Sequence, residues 1–584
     1  MYNFGMLPRG ELHSVFYPRL LTETKVIYEY LCNASTFNEF IGIAHWTEKF
    51  VNEGQFLDAV YTAVLTRPDT TYVQLPPPYE VYPYLFFNSE VLQKAHYPKV
   101  YGKLVVWRLN GDIKIDSKNG VKAYVIPANY SGWYINRELD FDSKLTYFTE
   151  DIGLNAYYFY FRLNPAFWLK SSSEAGSVRG EEYLYGHKQL LNRYYLERLS
   201  NDLGFIDDFD WEREFRAGYY PTMHFHNGLA FPQRPSWTRV PYYKYKYLKV
   251  SILTLSILIW IRGILLYIDT PEGLNILGNI IEGNKDSVNK KFYGSIDFYA
   301  RKILGFNLEP NKNYQIVPSA LEYMSTSMRD PAFYRLYKRI VDYYHKYNMR
   351  QKPYDVEEVE FPDLKIETVT TDRLITFFEP FNATIINSLL AKNAMETEQA
   401  LIKIRQNRLK NTRFSVHLEV TSPKKQKVAV RIFLGPKYDC QGKPLDFTEM
   451  TPGRNKITRS SKDFFFVIRD PKPSEVFYQS LLDAIKNVSQ MKFDNRVYGF
   501  PERLLLPKGK KEGLPLQLFV HVSPVERTEN YASRIFGVYE FDHRAFGYPF
   551  NKPIENYRYN ASNMAFLDAT VYHKDDYTQN IIDF

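Results

Sequence analysis

Residues 145–168 read LTYFTEDIGLNAYYFYFRLNPAFW, and the meaning of this stretch decides how the rest of the 584-residue chain is read. Tyr157, Tyr158, Phe159, Tyr160 and Phe161 place five rings in succession after Glu150 and Asp151, whose carboxylates suit the first turn of a helix. A helix that is aromatic on every side is buried on every side. The stretch therefore marks the centre of a large core, and the other segments are arranged around it.

The composition can supply such a core. Hydrophobic residues make up 45% and charged residues 24%, as in ordinary globular proteins, and the length implies several domains. The 17% aromatic content, with 49 Tyr and 42 Phe against 7 Trp, exceeds what folding requires, because each buried phenol needs a hydrogen-bond partner. It fits a large aromatic core, and equally a protein kept for its amino acids. A net charge of +8 is spread thinly, and its densest lysines, Lys424 with Lys425 and Lys508 with Lys510 and Lys511, lie in loop-like contexts. No concentrated basic face or nucleic-acid motif is present, which excludes a nucleic-acid partner. Two cysteines, Cys32 and Cys440, exclude a disulfide scaffold but not one long-range bridge. Acceptor tripeptides for N-glycosylation at Asn33, Asn129, Asn382, Asn487 and Asn560 are compatible with a secreted glycoprotein.

Along the chain, MYNFGMLPRG lacks the apolar core and cleavage site of a signal peptide. Residues 56–66 have helical spacing, and LPPPYEVYPYLFF at 75–87 breaks it with consecutive prolines. Short strands and turns are expected over 98–145. A second helix is expected over 179–204, closed by Gly204 and packed on the first. Residues 215–235 read as a structured loop, and 318–347 as a helical stretch with Pro331 at a helix start. The run LKVSILTLSILIWIRGILLYI at 248–268 has the length of a membrane span, but Arg262 and Gly263 interrupt it, which favours a buried helix over a membrane partner. From about residue 364 the period changes to two, in LKIETVTT, FSVHLEV, KVAVRIFLG, DFFFVIRD and LPLQLFVHVS, the pattern of a β-sandwich.

The Asp-Ile-Gly segment and the helix after it resemble the first copper-binding helix of arthropod hemocyanins and phenoloxidases. EGLNILGNIIEGN at 272–284, FYGSIDFYARKILG at 292–305, residues 504–524 and FGYPFNKPI at 546–554 are similar to further stretches of that superfamily, and especially to the insect hexamerins. The resemblance implies a multidomain α+β chain. Its parts are a helical N-terminal domain over 1–95 whose earlier helices are missing, a central helical bundle over 96–350 built like the hemocyanin dicopper domain without copper, and a C-terminal antiparallel β-sandwich, immunoglobulin-like, over 351–584.

Carried over by position, the first metal site falls on Tyr158, Arg162 and His187 and the second on Asp297, Arg301 and Tyr337. A coupled dicopper centre needs three imidazoles per metal, presented by helices at i and i+4. Among the eleven histidines no pair stands four apart, and guanidinium has no lone pair to give. No metal or other cofactor is expected, and ion pairs between the arginines and carboxylates such as Asp297 are expected to hold the bundle instead. No P-loop, dinucleotide fingerprint or Gly-x-Ser-x-Gly elbow appears, so no enzyme is expected. His224 and His226 read as surface residues.

The resemblance implies an extracellular, haemolymph-borne nutrient reservoir, rich in Tyr and Phe as arylphorins are. It implies assembly as a homohexamer or with related hexamerin subunits, uptake through a receptor, and storage in fat body. The alternative is a carrier of a small lipophilic hormone such as juvenile hormone, held in the vacated, aromatic-lined metal pocket.

Overall fold

Several of the helices begin where a side chain can satisfy their free amides. In a computed structural model, Thr36 caps α2 (Phe37–Phe50), Asn52 caps α3 (Glu53–Thr66) and Asp151 caps α5 (Ile152–Leu163). Ser295 caps α8 (Ile296–Leu304), and Asp330 with Pro331 opens α9 (Pro331–Asn348). Among the described residues the remaining helices of eight or more residues are α1 (Pro18–Cys32), α4 (Ser89–Tyr101), α6 (Arg179–Ser200), α7 (Pro271–Glu282) and α10 (Ser474–Ile485). The structure describes residues 6–101, 114–118, 121–131, 141–171, 178–246, 271–306, 316–385, 401–436, 445–464, 467–486, 499–525, 528–533, 537–542, 544–552 and 559–574. The apolar run 248–268 lies outside them, as do Asn487 and Cys440. Among the described residues no helix is long and apolar enough to cross a membrane.

All twelve residues of α5 are buried, as five successive rings require. The helix starts at Ile152, so Asp151 is its cap, and Glu150 lies before it, paired with Arg329 at 3.3 Å. The expected helix over 179–204 ends earlier than its glycine. Ser200 closes α6, and Asp202 and Gly204, both at positive φ, form the turn that follows. Residues 215–235 form the expected structured loop, tied by isolated pairings of Phe215 with Thr238, Tyr219 with Arg234, and His224 with Ala230. Both His224 and His226 are half-buried rather than on the surface. His226 lies between the Tyr82 hydroxyl and the Gly10 carbonyl.

α6 crosses α7 at two glycines. A Cβ on Gly278 would sit 1.9 Å from the Gly180 carbonyl oxygen, and one on Gly180 would sit 1.9 Å from that of Asn275. The contact is backbone on backbone, which only residues without side chains permit.

Among the described residues the carboxyl-terminal part holds two strand pairs, β10 (Val467–Ile468) with β11 (Phe500–Pro501) and β13 (Thr528–Ser533) with β14 (Gly537–Asp542), and is built mainly on two further sheets. Among the described residues the larger runs β1 (Lys114–Lys118), β2 (Val121–Pro127), β5 (Leu401–Asn411), β4 (Leu374–Thr384), β15 (Met564–Lys574), β12 (Leu514–Pro524), β7 (Gln426–Gly435) and β8 (Leu445–Met450), in that spatial order. The smaller joins β3 (Lys365–Thr371), β6 (Ser415–Ser422) and β9 (Gly453–Ser460). β6 alternates strictly between buried and half-buried positions, the signature of a strand with one face in the core. Two features depart from an all-antiparallel sandwich. The pairs β2/β5 and β15/β4 are parallel, and the β1–β2 hairpin comes from the chain ahead of α5 to extend the sheet past β5. Among the described residues the run DFFFVIRD yields a strand at Val467–Ile468, and α10 follows it where no helix was expected.

One apolar core runs through all of this, from Leu7 and Phe16 through α5, α6 and α9 to Val520 and Val571. Gly278→Ala is expected to lower the stability of the chain by about 3 kcal/mol, the upper part of the overpacking range, because backbone cannot yield as a side chain would. Thermal or urea unfolding of the variant beside the wild type checks this.

Candidate functional site: a buried charge cluster

The six positions singled out in the sequence converge. Tyr158 and Arg162 project from α5, His187 from α6, Asp297 and Arg301 from α8, and Tyr337 from α9, and each is at most 4% exposed. The i, i+4 spacings of Tyr158 with Arg162 and of Asp297 with Arg301 turn both members of each pair to the same side of their helix.

Asp297 is the hub. Its Oδ1 accepts from Arg301 Nε at 2.7 Å and from the Tyr337 hydroxyl at 2.9 Å, and its Oδ2 accepts from Arg162 Nη2 at 3.0 Å. Arg301 Nη2 reaches the hydroxyls of Tyr158 at 2.6 Å and Tyr337 at 2.7 Å, and its Nη1 donates to the Leu321 carbonyl. Burial opposes the charge on Asp297, but the Arg301 and Arg162 guanidiniums outweigh it and hold the carboxyl below its usual range. The expected ion pairing of the arginines with Asp297 is therefore present.

His187 completes the cluster in its neutral form. Its Nδ1 lies 2.6 Å from the Tyr183 carbonyl, so Nδ1 carries the proton and Nε2 accepts from the Tyr158 hydroxyl at 2.9 Å. Burial, and then the Arg162 cation, push the imidazole well below its ordinary value. The ring stacks on Tyr337 with centroids 3.9 Å apart and planes within 4°.

Three participants escaped the reading of the sequence. Glu282, at the end of α7, pairs with Arg162 at 3.1 Å and faces Arg179, which also pairs with Asp286 at 2.8 Å. The signal was available, since Glu282 is the one acid in the apolar run LNILGNIIE after Glu272. With these included, three guanidiniums (Arg162, Arg179, Arg301) meet three carboxylates (Glu282, Asp286, Asp297), and the formal charge is balanced.

This donor set does not fit copper. Guanidinium nitrogens and protonated phenols are not its ligands, and one neutral imidazole is too few. Among the described residues no group of three or more His, Cys, Asp or Glu side chains could hold a metal ion. Where the metals would sit, the Arg162 and Arg301 guanidiniums are in hydrogen-bond contact with the Tyr158 and Tyr337 hydroxyls, and a cavity of about 20 Å³ lined by Phe161, Arg162, Tyr183 and Glu282 adjoins them. Beside the cluster, towards the amino-terminal helices, lies a cavity of about 50 Å³ lined by His13, Leu57, Phe159, Arg162, Phe167 and Trp168.

A second charged clamp secures the start of α5. The Asp151 carboxylate caps the helix at Leu154 N and also accepts from Arg503 Nη2 at 2.6 Å, while Arg503 Nε donates to Asp470. A Cβ at Gly153 would meet Arg503 Nη2 and Asp470 Oδ1, each at 2.7 Å. The Asp-Ile-Gly segment is thus a cap, an ion-pair acceptor and a gap for the ion pair.

Replacing Asp297 by Ala leaves two buried guanidiniums without their shared acceptor and is expected to cost about 3–5 kcal/mol in urea unfolding. Because the folded carboxyl titrates below its ordinary value, this stabilisation is present above about pH 4 and is lost as the pH falls further. The difference between wild type and variant should therefore shrink in acid.

Sequence models of three domain families match in succession: "Hemocyanin, all-alpha domain" at 1–72, "Hemocyanin, copper containing domain" at 77–344, and "Hemocyanin, ig-like domain" at 353–573. Hexamerin 70b of Apis mellifera is 40% identical over 597 residues, covering 98% of this chain and 86% of its own. Arylphorin subunit alpha of Manduca sexta is 35% identical over 607 residues, covering 98% and 85%. A scorpion hemocyanin superposes with a TM-score of 0.80 at 24% identity over 98% of this chain and 94% of its own, and a crustacean hemolymph-type prophenoloxidase with 0.79 at 21% over 98% and 89%. The frame of a copper protein, filled at its centre by paired arginines and carboxylates, thus coincides with near full-length similarity to hexamerins and arylphorins, and the chain belongs to the hexamerin family of the hemocyanin superfamily.

Proposed function

We propose that this chain is a subunit of an insect amino-acid storage protein, non-enzymatic and without oxygen-binding capacity, in which the former copper positions have become a structural charge cluster. The observation that carries the reading is the set of residues at those positions, Tyr158, Arg162, Asp297, Arg301 and Tyr337, within a chain otherwise similar to hexamerins and arylphorins from end to end. The prophenoloxidase frame alone would allow an enzyme. What removes the chemistry in this reading is the loss of imidazole donors.

The 49 Tyr and 42 Phe supply the cargo. The chain would be secreted to the haemolymph, assemble with itself or related subunits as a hexamer, be taken up through a receptor and accumulate in fat body. Relatives named as arylphorin subunits support self-association. The carrier reading finds little support, because the spaces described beside the cluster are of about 50 Å³ and about 20 Å³. That is room for a few water molecules rather than a hormone.

Two experiments test this. Protein labelled in its tyrosines and returned to the haemolymph should pass its label into newly made tissue protein; label retained in the intact chain or excreted overturns storage. Copper offered to the purified protein should be removed by dialysis and confer no phenol oxidation, while stoichiometric retention would restore the enzyme reading.

Among the acceptor tripeptides, Asn33 and Asn560 are exposed and Asn129 is exposed beside a buried Ser131. Asn382 is half-buried in β4 with its Oδ1 accepting from Arg405 Nε at 2.9 Å. Glycopeptide mass spectrometry is expected to find glycans at Asn33 and Asn560 and none at Asn382.

A further inference from the structure

Two acidic side chains sit where the helical part meets the β-rich part, and each is satisfied by hydrogen bonds alone. Glu80, on the turn Pro78–Val81, is 2% exposed, and its Oε2 accepts from the backbone N–H of Ser474 at 3.2 Å and from the Ser474 hydroxyl at 2.5 Å. These are the first amide and first side chain of α10, none of whose residues is buried. Glu181, in the first turn of α6, is 8% exposed, and its Oε1 accepts from the backbone N–H of Phe546 at 2.8 Å. Among the described residues no Lys, Arg or His forms an ion pair with either, whereas the buried carboxylates of Asp142, Asp297, Asp330 and Asp542 are paired with arginine.

We propose that Glu80 and Glu181 are proton-dependent latches that fasten the helix at 474–485 and the segment beginning at Phe546 to the helical part of the chain.

A buried carboxylate without a cation is stabilised by taking up a proton. Burial raises Glu80 to about 7, partly offset by the two Ser474 donors and reinforced by Glu475, which is itself near Lys403. Burial likewise raises Glu181 to about 7, offset by the Phe546 N–H. The other titratable groups facing them are phenols, Tyr61 and Tyr79 around Glu80 and Tyr185 and Tyr344 around Glu181, all pushed upward by burial and neutral in this range.

The sign follows from linkage. Each folded value lies above the ordinary carboxyl value, so the docked state binds the extra proton. The contact is strongest below about pH 4.5, weakens as the pH rises to about 7, and changes little beyond. Half-buried His345 and buried His521, lowered to about 4 and about 3 chiefly by desolvation, act in the opposite sense on the whole chain. Global melting would blend the two, so the readout must be local.

Hydrogen exchange on the full chain supplies one. Protection of the amides of Ser474 and Phe546, corrected for base catalysis, is expected to fall by more than tenfold between pH 5 and pH 7.5, since folded values of about 7 against an ordinary 4.5 place most of the linkage inside that window. Amides of β12 serve as an internal control and should hold. In Glu80→Gln the fall at Ser474 should vanish while that at Phe546 remains, and Glu181→Gln should do the reverse. Flat protection in the wild type, a fall shared by β12, or one that persists in the Gln variants overturns the proposal. So does a fall that tracks dissociation on size-exclusion at two protein concentrations. Should a variant fail to fold, the comparison of Ser474 and Phe546 with β12 in the wild type decides alone.

Discussion

A carboxylate shared by two guanidiniums in the middle of an apolar core is the interaction on which this structure rests. Asp297 could not be charged there alone, nor could Arg162 or Arg301. Each is admitted by the others, and together with Tyr158, Tyr337 and His187 they bind α5, α6, α8 and α9 into one unit, with α7 joined through Glu282. A metal ion fixes a bundle by demanding several donors at a set radius. The charge cluster does comparable work by demanding several hydrogen bonds in set directions, since guanidinium is planar and offers its donors in a rigid fork. Such a centre is no guarantee of high stability, because the desolvation of six charges is large. What it provides is a strong penalty for arranging the helices in any other way.

The second dependence is on position rather than charge. α5 is buried on all sides, so its start must be secured by groups that reach in from elsewhere, and Arg503 from the β-rich part does this by sharing Asp151 with the helix amides. The rings that follow have a place because the surroundings are themselves aromatic: Tyr158 meets Phe333 edge-on and Tyr61 meets Phe159. A protein with 49 tyrosines has to bury many phenols. Here several of the hydroxyls that enter the core are used as acceptors for arginine, which makes the cargo part of the scaffold.

Much of this could be read from the chain itself. The buried helix followed from five adjacent rings, and the charge cluster from arginines standing at i+4 on two helices where donors to a metal would otherwise stand. Helix starts were legible at Pro331 because proline fits only the first turn. What could not be read came from partners distant in sequence. Glu282 belongs to the cluster only because Gly180 and Gly278 let α6 and α7 approach closely, and spacing along the chain carries no such information. The end of α6 was misplaced for a local reason, since Asp202 takes the left-handed conformation that glycine was expected to supply. α10 was missed because none of its residues is buried, so its pattern had no core to point to.

The hairpin of β1 and β2 has a consequence for how the chain can be divided. It lies ahead of α5 in sequence, yet pairs along β5 in the large sheet, from Ala123 opposite Leu401 to Pro127 opposite Arg405. A fragment beginning at residue 351, the expected start of the last domain, would keep every strand from β3 onward and still lack its neighbour at that margin. The backbone of β5 would then offer unpaired amides and carbonyls along a strand edge, the kind of surface that recruits other chains. The β-rich part is therefore not a module that evolution or an experimenter can detach cleanly, because the border of its large sheet is encoded far upstream of the strand it covers.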